Sequence, residues 1–77
     1  MEIEKKVIAC AAEVYGKDES EITLQTNIRE ELSNQSILMI AFTSSLEEEL
    51  DVAIELKEAS KLLTIADFVN RIKEKLA

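Results

Sequence analysis

Ser36 heads the run Ser36-Ile37-Leu38-Met39-Ile40-Ala41-Phe42, which leads into Leu46-Glu47-Glu48-Glu49-Leu50-Asp51-Val52-Ala53-Ile54. A hydroxyl at the head of an amphipathic helix can serve as a nucleophile, as an attachment point, or as a plain N-cap worth about 1 kcal/mol. The nucleophile reading needs a base to activate the serine. The chain has no histidine, and no lysine is spaced to reach Ser36 from the same helix, so the residues do not favour a catalytic serine. Glu47, Glu48 and Glu49 point in successive directions around a helix and cannot converge on one metal ion. No EF-hand spacing, Cys/His cluster, P-loop or glycine-rich phosphate cradle is present. The residues therefore assign no catalytic group and no metal site, and the chain reads as a non-enzyme.

The elements that position Ser36 follow from periodicity. Apolar residues make up 47% of the 77 residues, with one glycine, no proline and no sustained period-2 alternation. Tight strand turns are hard to build from that composition, which points to an all-α fold. A first helix is expected from Glu2 to Tyr15, with Ile3, Val7, Cys10, Ala11 and Val14 as its buried stripe and Gly16 as its stop. Cys10 lies on that stripe and reads as a small core residue. Residues 17–35 lack a helical period, yet Ile22, Leu24, Ile28 and Leu32 punctuate them. They predict a long loop pinned to the bundle by apolar anchors, with a short helical turn at Asn27–Leu32.

The second helix is expected from Ser36 to Leu50, sending Met39, Phe42, Leu46 and Leu50 into the core. Its opposite face carries Ile37, Ile40, Ala41 and Ser44 near the start, then Glu47 and Glu48. An exposed face that is apolar beside the serine and acidic further along suits either docking or covering a neighbouring element. A short third helix is expected at Leu56–Lys61. Thr64 and Asp67 have capping-box spacing ahead of a fourth helix, whose stripe is Ile65, Phe68, Val69, Ile72 and Leu76. Together these give one domain over residues 1–77: a small antiparallel four-helix bundle, three longer helices plus one short, with a long first loop.

Charge narrows the partners. Residues 18–60 hold eleven acids against Arg29 and Lys57, whereas residues 61–77 hold Lys61, Arg71, Lys73 and Lys75 against two acids. The net charge of −7 repels nucleic acid and favours partners with basic surfaces. No apolar run approaches the roughly 18 residues of a membrane span. The first residues have neither signal-peptide nor transit character, and a lone cysteine gives no internal disulfide. A cytoplasmic monomer is the expectation.

The chain resembles the acyl carrier protein family over nearly its whole length. The family signature is an acidic residue and leucine, glycine, a variable residue, Asp-Ser-Leu, and later Leu-Glu-Glu-Glu-Phe-Asp. Here the matching residues are Glu31-Leu32-Ser33-Asn34-Gln35-Ser36-Ile37 and Leu46-Glu47-Glu48-Glu49-Leu50-Asp51. Ile54 and the stretch Glu58 to Ile65 look like the family's third-helix region and the start of its last helix. The resemblance implies that Ser36 carries a covalent 4'-phosphopantetheine arm holding an acyl group as a thioester. A phosphodiester there would sit by unpaired helix N–H groups at the positive end of the macrodipole. It further implies partners: a phosphopantetheinyl transferase, and acyl-transferring or condensing enzymes of fatty-acid, polyketide or related biosynthesis. These would dock on Ile37, Ile40, Ala41, Glu47 and Glu48 through basic surfaces.

The departures cluster at the serine. The family's glycine is Ser33, its aspartate is Gln35 and its following leucine is Ile37, while Leu38 and Ala41 replace acidic or polar recognition positions. Gln35 keeps a carbonyl oxygen but lacks the charge that a hard cation prefers. Two other readings use the same helix: an unmodified carrier-like adaptor, and an aminoacyl or peptidyl carrier.

Overall fold

The computed structural model describes residues 2–77 and is an all-α bundle with no strand among them. Helix α1 spans Glu2–Tyr15, α2 Ser36–Leu50, α3 Leu56–Ala59 and α4 Ile65–Leu76. A 3₁₀ turn at Glu19–Glu21 and a π-helical turn at Ile28–Leu32 lie within the long first loop.

Helix α1 buries Val7, Cys10, Ala11 and Ala12, with Ile3 and Val14 half-buried against the core. It stops at Gly16, whose φ of +67° lies in the left-handed region that glycine enters without strain. Helix α2 contributes Phe42, Leu46 and also Thr43, while Met39 and Leu50 are half-buried. Tyr15 packs edge-on against Phe42, Cys10 faces Ser45, and Lys6 and Glu49 line one depression, so α1 and α2 run antiparallel. Lys73 pairs with Glu4 at 3.6 Å, which sets α4 antiparallel to α1 as well. Phe42 and Phe68 meet at the centre with ring centroids 5.0 Å apart.

The long loop is held by more than its apolar anchors. Ile22 and Ile28 are buried as expected, and Leu24 and Leu32 are half-buried. In addition, Ile65 N–H donates to Thr26 O at 3.1 Å and Ala66 N–H to Leu24 O at 2.9 Å. Ile28 N–H donates to Leu63 O at 2.9 Å. The first N–H groups of α4, which no intrahelical carbonyl can satisfy, thus find partners in the loop. That pairing explains how a segment without sustained helix stays ordered against the bundle.

Two expectations need correction. Helix α3 ends at Ala59 rather than Lys61. Beyond it Lys61 N–H and Leu62 N–H bond three residues back, to Glu58 O and Ala59 O at 3.1 Å each, so the chain tightens there. Leu76 is 49% exposed, not buried. Its phase matches the apolar stripe, but Lys73 already reaches Glu4 in the first turn of α1, and residues beyond it pass the end of the bundle.

The capping box at the head of α4 forms as its spacing implies. Thr64 Oγ1 accepts Asp67 N–H at 3.1 Å, and Asp67 Oδ2 accepts the N–H of Leu63 at 3.0 Å and of Thr64 at 3.1 Å. The Leu63 bond, then the Thr64 bond, holds the Asp67 carboxyl below the usual aspartate range. A depressed folded-state pKa means the cap's stabilisation is complete above the unfolded value of about 4 and is lost as pH falls below it. Unfolding free energy should therefore drop on acidification below about pH 4. Asp67→Asn should be less stable at neutral pH and show a shallower acid decline, measured by urea titration across pH. An unchanged acid slope in the variant would remove Asp67 from the account.

Candidate functional site

Ser36 is the first residue of α2 but not its cap. Gln35 occupies the cap position with extended backbone (φ −73°, ψ 128°), and its side chain makes no capping bond. Gln35 O accepts the N–H of Leu38 and Met39 at 3.2 and 3.3 Å. The N–H groups of Ser36 and Ile37 find no acceptor among the described residues, and no acid stands in the first turn. Ser36 is exposed, and its hydroxyl makes no hydrogen bond among the described residues. The N-cap reading of Ser36 is therefore set aside: the hydroxyl is free, solvent-facing and beside the uncompensated positive end of a helix.

The segment before Ser36 fixes its position. Asn27 Oδ1 accepts Glu30 N–H at 3.0 Å and Glu31 Oε2 accepts Asn27 N–H at 2.8 Å, closing the π-helical turn. Ser33 Oγ then accepts Gln35 N–H at 3.2 Å. The backbone at Ser33 is extended (φ −173°), a conformation open to any residue. Serine at the family's glycine position thus introduces no backbone strain here.

A groove of about 260 Å³ opens beside the serine, lined by Arg29, Ser36, Met39, Ile40, Leu56 and Ser60 among others. Arg29 is the residue that sequence reasoning missed. Its guanidinium donates to Ser60 O at 2.8 Å, Leu62 O at 3.0 Å and Ala59 O at 3.4 Å. A cation on Ala59 O and on two carbonyls just beyond α3 meets the negative end of that short helix and ties the turn before Ser36 to the opposite wall of the groove. The available signal was its isolation: Arg29 and Lys57 are the two cations among the acids of residues 18–60.

The outward face of α2 divides as expected with one adjustment. Ile37 is 66% and Ile40 42% exposed, and Ala41, Ser44 and Glu48 are exposed. Glu47 is half-buried, and its Oε2 accepts the Ile54 N–H at 2.9 Å, so it also supports the turn after α2. Cys10 is buried beside Ser45, and burial pushes its thiol above the ordinary range, in keeping with a core residue. Among the described residues no cluster of metal-ligating side chains occurs.

These features define a small helical bundle that offers a free serine at a helix N-terminus, a groove beside it and an acidic, partly apolar face. Residues 5–72 match the family described as phosphopantetheine attachment site. The chain is 38% identical over 65 residues to the acyl carrier protein of an Exiguobacterium species, covering 84% of this chain and 82% of that protein. It is 36% identical over 72 residues to the acyl carrier protein of Rickettsia bellii strain RML369-C, covering 94% and 84%. The corresponding protein of Rickettsia canadensis is 36% identical over 73 residues, covering 95% and 85%. The chain belongs to the acyl carrier protein family, whose members are carriers rather than catalysts and bear a covalently attached 4'-phosphopantetheine.

Proposed function

We propose that this carrier bears its phosphopantetheine on Ser36 and presents an acyl group to partner enzymes of fatty-acid, polyketide or related biosynthesis. The observation that carries this reading is the Ser36 hydroxyl, exposed and unbonded at the head of α2. Ser36 Oγ supplies the ester oxygen, and the N–H groups of Ser36 and Ile37 are free to meet a phosphodiester oxygen. When attached, the arm's terminal thiol holds the acyl group as a thioester. Met39, Ile40 and Leu56 offer apolar surface in the adjoining groove. No helix among the described residues is long and apolar enough to cross a membrane; the proposed carrier acts in the cytoplasm as a monomer. The test is the intact mass of the chain after incubation with a phosphopantetheinyl transferase and coenzyme A.

Partner recognition is assigned to the outward face of α2, with Ile37, Ile40 and Ala41 supplying apolar contact and Glu48, aided by Glu47, steering encounter. Because Glu47 also holds the Ile54 N–H, Glu48 is the cleaner probe. Glu48→Lys should slow association with the transferase several-fold, and the slowing should shrink as salt rises because exposed charges are screened over about 10 Å at 0.1 M. Glu19→Lys makes the same charge change in the first loop and should do much less. Equal slowing by both, followed by stopped-flow mixing, would assign the effect to net charge and not to α2.

A further inference from the structure

We propose that the depression between α3 and α4 is a second docking surface, fitted to an acidic segment of a partner protein. The depression has a volume of about 550 Å³ and is lined by Lys57, Lys61, Arg71 and Lys75 together with Glu55 and Glu58. Glu58 is already matched: Arg71 Nη1 meets its Oε2 at 2.6 Å and Lys75 Nζ its Oε1 at 3.0 Å. Those two contacts, the Arg71 bond foremost, hold the Glu58 carboxyl below the ordinary glutamate range, so it stays ionised and neutralised in place. Lys57 and Lys61 are exposed and enter no ion pair among the described residues. One in α3 and one just beyond its end, they leave two uncommitted cations lining the depression. In a chain of net charge −7, this is a local reversal of sign.

Charge complementarity selects the occupant. A broad anionic surface such as a membrane would also meet Glu55 and the acids that dominate residues 18–60, and so would be repelled as a whole. A localised acidic segment touches the depression alone, since charges beyond about 10 Å are screened at 0.1 M salt. The depression is open, and its lysine cations sit at the ends of long, flexible side chains, which suits an extended acidic segment better than a small phosphate. The segment from Leu56 to Lys61 is shared between two sites: Leu56 and Ser60 line the groove beside Ser36, while Lys57 and Lys61 line the depression. A partner seated there would lie next to the groove without covering the outward face of α2. The depression is lined without Ser36 and is present whether or not that residue is modified.

The test is a titration of the isotopically labelled, unmodified chain with a short polyglutamate peptide, read by two-dimensional NMR at about 0.1 M salt. Amide shifts should centre on Lys57, Lys61, Arg71 and Lys75. Lys57→Ala with Lys61→Ala should weaken binding about tenfold, since both lysines are exposed and unpaired. Lys5→Ala with Lys17→Ala makes the same charge change elsewhere and should leave affinity unaltered. Spectra of each free variant report whether the fold is retained, and Lys57→Gln with Lys61→Gln repeats the measurement with longer side chains. Shifts centred elsewhere, no shifts at all, or equal weakening by the two lysine pairs would overturn the proposal. So would inorganic phosphate producing the same shifts at the same concentration, or anionic phosphatidylglycerol vesicles capturing the chain in preference to the peptide.

Discussion

Incubated with a phosphopantetheinyl transferase and coenzyme A, the wild-type chain should gain the mass of one phosphopantetheine, and Ser36→Ala should gain none. The effect is all-or-none because the variant lacks the oxygen that forms the ester. Its fold should be intact: Ser36 is exposed, makes no hydrogen bond among the described residues, and alanine is the better helix former. Loss of modification would thus report chemistry, not unfolding. Gln35 should govern the rate of that modification. It is exposed, and its side chain caps nothing, so its amide oxygen is available to a transferase but carries no charge for the transferase's metal. Gln35→Asp should therefore be modified faster than wild type. If wild type resists several transferases while Gln35→Asp accepts the arm, the chain works as an unmodified adaptor through the same α2 face. If Ser36→Ala is still modified, another hydroxyl carries the arm, with Ser33 the nearest.

The helices that flank the site were legible because each is defined locally. The apolar spacing of Val7, Cys10 and Ala11, and of Phe42, Leu46, Phe68 and Ile72, maps directly onto buried positions. The Thr64–Asp67 cap needs only residues three apart. The features that hold the groove together were not legible, because they join distant side chains to backbone carbonyls. Arg29 reaches acceptors some thirty residues away, and any residue type at those positions would offer the same oxygen. The loop bonds to Ile65 and Ala66 are hidden for the same reason. Thr43 defeats a reading by polarity alone. It is buried, yet its hydroxyl donates to Met39 O at 2.8 Å within its own helix and so enters the core satisfied. Glu47 looked like a purely outward charge because helical phase fixes direction and says nothing of the turn that folds back beneath it.

Phe68→Ala should destabilise the chain by about 3–5 kcal/mol, and Phe42→Ala by a similar amount. Both rings are completely buried and lie in contact at the meeting point of α2 and α4, so truncating either removes its burial and leaves a void lined by the other. Tyr15, packed against Phe42 with centroids 5.8 Å apart, would lose its edge contact in the second variant but not in the first. For a domain of this size the loss is a large share of a total stability of about 5–15 kcal/mol, and Phe68→Ala should leave much of the chain unfolded at physiological temperature. Ile37→Ala serves as the comparison: it removes a similarly apolar side chain that is 66% exposed and should change stability by no more than about 0.5 kcal/mol. Urea denaturation followed by far-ultraviolet circular dichroism measures all three. A loss under about 1 kcal/mol for both phenylalanines would show that the core does not depend on this aromatic pair. The joint between α2 and α4 would then rest on something other than these two rings.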